Sequence, residues 1–211
     1  MTDNLESRLH PDHLTDLRKS GLSDETILES GIKSVTPGDI DKIFGYPTYA
    51  KSAYEIPYPG TDYLRCRMFY DDANKINSLG EERPKYRAKN DSGNRLYIPV
   101  KARPILKDLS IPLYIAEGEK KALKACQEGL RCIAISGLWN WKVKDKDELI
   151  SDFDLITLDG RTVYIVPDND FLLPDRHGKP KNLKQAVFEL AYKLIDRGAK
   201  VSLVELPGGE Q

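Results

Sequence analysis

Tyr114-Ile115-Ala116-Glu117-Gly118 and Val163-Tyr164-Ile165-Val166-Pro167-Asp168-Asn169-Asp170 are the two stretches whose reading decides the fold. Each is a short apolar run of strand type that ends in carboxylate, and a segment of helical character follows each one. Strand and helix in alternation build a mostly parallel sheet with helices on its faces. In an open sheet of that kind, chain leaving the carboxyl ends of the strands lines the binding crevice. Glu117, Asp168 and Asp170 are therefore expected to meet there, although 51 positions separate the first two. Carboxylates gathered at one strand edge repel each other unless a hard cation sits between them. Mg²⁺ or Mn²⁺ is the expected cofactor, since Mg²⁺ is held by few carboxylates plus waters and substrate phosphates. Phosphoryl transfer on nucleotides or nucleic acid is the chemistry such a site would serve. The bland alternative is a solvated acidic turn at Asp168 and Asp170 and a helix start at Glu117, where the macrodipole alone favours an acid.

Outward from these stretches, residues 111–206 read as one α/β domain, with strands at 112–116, 132–136, 163–166 and 201–205. Its clearest helix spans about 182–197: Leu183, Ala186, Val187, Leu190, Ala191, Leu194 and Ile195 form one apolar stripe, and Gly198 is placed to end it. A shorter helix over 119–128 is closed by Gly129. Residues 207–211 (Pro-Gly-Gly-Glu-Gln) read as a linker, as though a longer protein continues. Upstream, residues 1–45 read as a small helical unit in which Ser23 caps a helix stopped by Gly31, and Thr36-Pro37-Gly38-Asp39 opens another. Residues 46–110 read as a smaller basic α+β subdomain with strands at 54–58, 63–70 and 95–99. In the second of these, Arg65 and Arg67 share one face while Leu64, Cys66 and Met68 share the other. Pro99, Pro104 and Pro112 mark residues 99–112 as a stiff, exposed connector.

With 211 residues, 40% hydrophobic and 31% charged, the chain has the composition of a globular protein. No run approaches the length of a membrane span, and the N-terminus lacks the apolar core of a signal peptide. Cys66, Cys126 and Cys132 form no Cys-x-x-Cys pair, so neither a zinc ribbon nor a disulfide framework is supported; buried thiols in a cytoplasmic protein are expected. A net charge of −1 hides a segregation. Residues 1–30 hold seven acids and three bases, whereas residues 83–107 hold Arg83, Lys85, Arg87, Lys89, Arg95, Lys101, Arg103 and Lys107 against Asp91 alone. A local patch, not the global sum, sets the attraction to phosphates. Cations interleaved with Tyr86 and Tyr97 suit single strands, because the cations hold phosphates while tyrosines stack on bases. Trp139 and Trp141 follow the second α/β strand and are read as packing residues. No Ser-His-Asp set, Walker loop or Rossmann fingerprint is visible.

The order and spacing of Glu117-Gly118 and Asp168-Asn169-Asp170 resemble the toprim domain shared by bacterial primases, topoisomerases and some nucleases. That family carries Glu-Gly after its first strand and Asp-x-Asp after its third. Residues 117–122, Glu-Gly-Glu-Lys-Lys-Ala, are similar to a primase-like variant found in replication proteins of plasmids, phages and mobile elements. Residues 83–97 resemble the stretch that precedes the toprim domain in bacterial primases. The resemblance implies a toprim-type sheet, Glu117, Asp168 and Asp170 as catalytic metal ligands, and Mg²⁺ or Mn²⁺ as cofactor. It further implies that Arg65, Arg67, Lys85, Tyr86, Arg87 and Arg95, with Lys120 and Lys121, hold nucleotide or nucleic acid. The implied activity is DNA-directed nucleotidyl transfer, making a primer on a single-stranded DNA template from nucleoside triphosphates, with a helicase or a further C-terminal region as partner. Two departures stand out: Lys121 occupies a position usually acidic in bacterial primases, and Phe171-Leu172-Leu173-Pro174 replaces the small residues after the acidic pair. They give weight to a non-catalytic single-strand-binding module with a vestigial acidic site; a metal-dependent nuclease also stays open, since the same metal site can activate water. A topoisomerase would need a nucleophilic tyrosine in a separate DNA-gate domain, which the sequence does not display.

Overall fold

The computed structural model describes residues 4–168 and 183–206, and the chain divides into two units, Met1–Gly93 and Asn94–Gln211.

Local capping dictates the start of the first unit. Helix α1 (Leu5–Arg8) follows Asn4, α2 (Pro11–Lys19) follows His10, and α3 (Asp24–Ser30) follows Ser23, whose hydroxyl accepts from the Thr26 amide at 3.2 Å. Thr36 caps α4 (Pro37–Phe44) in the same way. Each cap satisfies an amide that the helix cannot. Between α3 and α4 the chain forms β1 (Lys33–Val35), so the segment read as purely helical also supplies a strand. β1 opens an antiparallel sheet completed by β2 (Ser52–Pro57), β3 (Leu64–Phe69) and β4 (Tyr86–Ala88), in the order β1-β2-β3-β4.

Strand alternation gives this sheet two different faces. Ser52, Tyr54 and Ile56 share one with Arg65, Arg67, Phe69, Tyr86 and Ala88; Ala53, Cys66, Met68 and Arg87 share the other. Helix α2 lies on the first face, where His13 stacks on Phe69 at 4.8 Å and Tyr54 donates to Asp16 at 2.8 Å. Helix α4 lies on the second, with Ile40 and Phe44 packed on Ala53, Cys66 and Met68. Ile40 is fully buried, and burial of such a side chain contributes about 1.5–3 kcal/mol.

In the second unit, β5 (Leu113–Glu117), α5 (Glu119–Gln127), β6 (Cys132–Ile135), β7 (Thr162–Val166), α6 (Leu183–Asp196) and β8 (Lys200–Leu203) follow in that order, alternating strand and helix except between β6 and β7, where the 3₁₀ segment Ser151–Leu155 takes the place of an α-helix. The four strands form one parallel sheet, flanked by helices, in the order β6-β5-β7-β8. Leu113, Ile115, Ile133, Val163 and Ile165 form its buried layer. The stripe read on α6 holds for Ala186, Val187, Leu190, Ala191 and Leu194, while Ile195 is exposed.

Two segments differ from the sequence reading. Residues 95–99 form no separate strand: Tyr97 makes one antiparallel bridge to Ala134, with bonds of 2.8 Å in both directions, which places 94–110 in the second unit. Residues 99–112 are no exposed connector either. Val100–Ile105 is a 3₁₀ helix with Ala102 and Ile105 buried. The fully buried Arg161 guanidinium donates to the Ile105, Leu106 and Ile111 carbonyls, at 2.9, 2.8 and 3.2 Å. A buried cation that satisfies three carbonyls ties this segment to the start of β7.

Candidate functional site

The direction of the connections locates the site. β5 leads through α5 to β6 on one side, and β7 leads through α6 to β8 on the other. The connections diverge between β5 and β7, the switch point where open parallel sheets form their crevice. Glu117 is the last residue of β5, and Asp168 lies two residues beyond the end of β7. The register pairs Ala116 with Val166, so the two acids leave adjacent strands at the same edge. Adjacent strands lie about 4.8 Å apart, so the two acids leave the sheet on neighbouring strands. Both residues are half-buried. Asp170, the third acid of the expected set, lies outside the described residues, as do Asn169 and the loop through residue 182. Among the described residues no group of three or more His, Cys, Asp or Glu side chains could hold a metal ion.

Gly118 makes the turn out of β5. Its φ of 97° and ψ of 144° lie in a region essentially reserved for glycine, while its amide donates to the Ile135 carbonyl at 2.8 Å. The helix that follows therefore starts directly at the edge, with its amide-rich N-terminus beside the acids. Glu119, its first residue, is buried at 3% exposure, a feature that its exposed-looking neighbours in sequence conceal. Lys121 donates through Nζ to Asp168 Oδ1. A lysine in the first turn of a helix opposes the macrodipole, and the ion pair with Asp168 offsets that cost. The donor chemistry, hard carboxylate oxygens from adjacent strand ends, suits Mg²⁺ or Mn²⁺. A cation bound through Asp168 Oδ1 would compete there with Lys121.

The basic residues separate into two sets. Arg65 and Arg67 flank the Tyr86 ring, at 5.5 and 5.3 Å, and Arg67 also lies 4.8 Å from the Phe69 ring. Arg87 does not join them. It pairs with Cys66 and so projects from the opposite face of the sheet, where its guanidinium meets Tyr46. Lys85 is exposed, and its carbonyl accepts from the Met68 amide. By the period of two along β4, Tyr86 shares a face with Arg65 and Arg67 while Arg87 lies on the other. Arg95, expected to hold nucleic acid, contacts Asp152 Oδ1 and Oδ2 through its Nε at 3.0 and 2.8 Å. Asp152 is 7% exposed and also accepts from the Leu96 amide, so Arg95 is engaged in holding the second unit together.

Other sequence expectations resolve simply. Cys66, Cys126 and Cys132 are free and buried, and burial pushes the Cys66 and Cys132 thiols up to about 12, which makes them poor nucleophiles. Trp141 is fully buried, whereas Trp139 is half-buried with the Lys142 ammonium 4.3 Å from its ring. No helix among the described residues is long and apolar enough to cross a membrane. The sequence reading missed Tyr46 and Tyr49 as partners of Arg87 and Arg83, because 41 and 34 positions separate the members of each pair.

A protein-family model described as a domain of unknown function (DUF3854) matches residues 103–211. The match covers more than half of the chain and nearly all of the second unit, acidic edge included, and begins inside the 3₁₀ helix at Arg103. No curated protein matches the chain.

Proposed function

We propose that this chain, which belongs to the DUF3854 family, carries out primase-like nucleotidyl transfer on a single-stranded DNA template, with its second unit acting as a toprim-type catalytic domain. The observation that carries the reading is the pair of acids Glu117 and Asp168 at the switch point of a four-stranded parallel sheet. Glu117 and Asp168, with Asp170, would hold Mg²⁺ or Mn²⁺. When bound, the metal would orient the triphosphate and stabilise the charge that develops at its α-phosphate. The N-terminus of α5 favours anions, so it contributes to holding the phosphates near the acids. Lys121, released from Asp168, would be a cation within reach of the same phosphates. On the first unit, Arg65 and Arg67 supply charge for a template backbone, and Tyr86 between them offers a ring to a base.

A second reading has an observation of its own. The Lys121–Asp168 ion pair fills one donor position of the acidic edge, as it would in a binding module whose acidic site no longer works. Incubation with single-stranded DNA, labelled nucleoside triphosphates and Mn²⁺ separates the possibilities. Extension of the strand supports nucleotidyl transfer, cleavage supports a nuclease, and retention without either supports the binding module. In the first case Asp168→Asn should abolish extension while leaving single-strand binding intact.

A further inference from the structure

The sheet face opposite Arg65 and Arg67 carries a second cationic and aromatic array. Arg83 lies 4.6 Å from the Tyr49 ring, and Arg87 lies 6.0 Å from the Tyr46 ring while its Nη1 reaches the Tyr46 hydroxyl at 3.4 Å. Tyr70 donates to the Pro84 carbonyl at 3.4 Å. Burial pushes the Tyr70 phenol above its usual range, and the charges of Arg87 and Arg83 oppose that shift. Three tyrosines and two arginines thus gather beside the short edge strand β4.

Arg83 and Arg87 form no salt bridge among the described residues, and the Arg83 Nε is buried without a hydrogen-bond partner. Two acids of the neighbouring loops are engaged elsewhere: Asp71 pairs with Lys51 at 3.3 Å, and Asp41 accepts from the Thr48 amide and hydroxyl at 2.8 Å. Tyr49 is 58% exposed and sits at a φ of 60°, a conformation unusual for a bulky residue. An exposed ring held in that geometry under a planar cation is a stacking platform with a phosphate-binding group beside it.

We propose that Tyr46, Tyr49, Tyr70, Arg83 and Arg87 form a binding site for single-stranded nucleic acid, distinct from the Arg65–Tyr86–Arg67 set on the other face. The guanidiniums take successive phosphates, and the Tyr49 ring takes a base. With cations on both faces of β3 and β4, a bound strand passes over β4, the last strand of its sheet. This rests on the reading of the chain as a single-strand-handling protein, but not on the acidic edge being catalytic.

The test is fluorescence anisotropy of a labelled oligothymidylate with the full chain across a salt series. Replacing Arg83 and Arg87 together by Ala should weaken binding and reduce the slope of log affinity against log salt by about 1.4, since each phosphate contact on a single strand contributes about 0.7. Tyr49→Ala removes an exposed ring that no core packing needs, and should weaken binding about fivefold or more without changing the slope. An unchanged slope in the arginine variant, when Arg65→Ala with Arg67→Ala lowers it, overturns the proposal. So does equal binding of the wild type and Tyr49→Ala. If the wild type fails to bind the oligonucleotide, both this site and the template-binding reading fail. Intact binding without extension counts against the catalytic reading alone.

Discussion

Replacing Arg161 by Met tests whether a buried cation with only carbonyls for partners stabilises the second unit. The side chain is 0% exposed, and its burial pulls the guanidinium pKa below the ordinary value, so part of the cost of desolvation is present in the native state. Against this stand the three carbonyl bonds. Ile105 and Leu106 keep a second donor after substitution, the amides of Asp108 and Thr157 at 3.1 and 3.0 Å. Ile111, whose carbonyl accepts from the Arg161 Nε, keeps no such donor among the described bonds. An orphaned carbonyl costs about 1–3 kcal/mol, and loss of two further bonds from a charged donor adds to it. Relief of guanidinium desolvation offsets part of the sum, and Met fills most of the volume. The expected net loss is about 2–4 kcal/mol. For a unit of this size that lowers the melting temperature by about 10 °C. Trp139 and Trp141 are the only tryptophans in the chain and both lie in the second unit, so their fluorescence reports its unfolding selectively. A loss below about 1 kcal/mol, or a gain, would show that desolvation outweighs the carbonyl bonds and would refute the reasoning.

Lys121→Met should tighten Mg²⁺ binding about two- to fivefold in a calorimetric titration, because a half-exposed ion pair competes for Asp168 with no more than about 1 kcal/mol; identical affinity would separate Lys121 from the metal site. Asp168→Asn should cost the metal-free protein less than about 1 kcal/mol in a denaturant melt, through loss of that same half-exposed pair. Gly118→Ala should cost about 1–3 kcal/mol, and since an added Cβ meets nothing within 4 Å, the cause is backbone conformation alone; a neutral effect on the urea midpoint would show that the turn relaxes. His13 is 1% exposed, its ring nitrogens bond the Ser34 and Ser52 hydroxyls, and burial, with His10, lowers its pKa against the opposing charges of Asp12 and Asp16. Its contribution to stability is full above about pH 6.5 and is lost as pH falls through the lowered native value. His13→Gln should flatten that part of the stability–pH curve, and a wild-type curve flat from pH 7 to pH 5 would contradict the assignment.

The strands and helices around Glu117 and Asp168 were legible because short apolar runs alternate with helical stripes, and period alone separates the two. Ser23, Gly31 and Thr36 marked helix ends through local hydrogen bonding, which needs no tertiary information. Long-range partners were not legible. Nothing near Arg95 in sequence announces Asp152, and nothing near Arg161 announces the Ile105, Leu106 and Ile111 carbonyls. Arg95 was expected to hold nucleic acid and instead meets Asp152, while Arg161 carries no local mark in sequence of its burial. The separation of Arg87 from Arg65 and Arg67 was implicit in the alternation along a strand, but it required the register that sets Arg67 opposite Tyr86 and Arg87 opposite Cys66.

The bridge between Tyr97 and Ala134 bears on how the protein stays out of aggregates. β6 is Cys132-Ile133-Ala134-Ile135, buried throughout, and it stands at the end of the parallel sheet order. Left bare, an apolar, uncharged strand end of this kind is a template for pairing with another chain. Tyr97 fills the middle of that edge with two backbone bonds, so β6 is guarded by a segment about 35 residues upstream. At the opposite margin β8 guards itself, being four residues long and opening with the exposed Lys200. A proline at position 97 would remove the Tyr97 amide from the bridge and expose the apolar margin, so self-association would precede any loss of the helices.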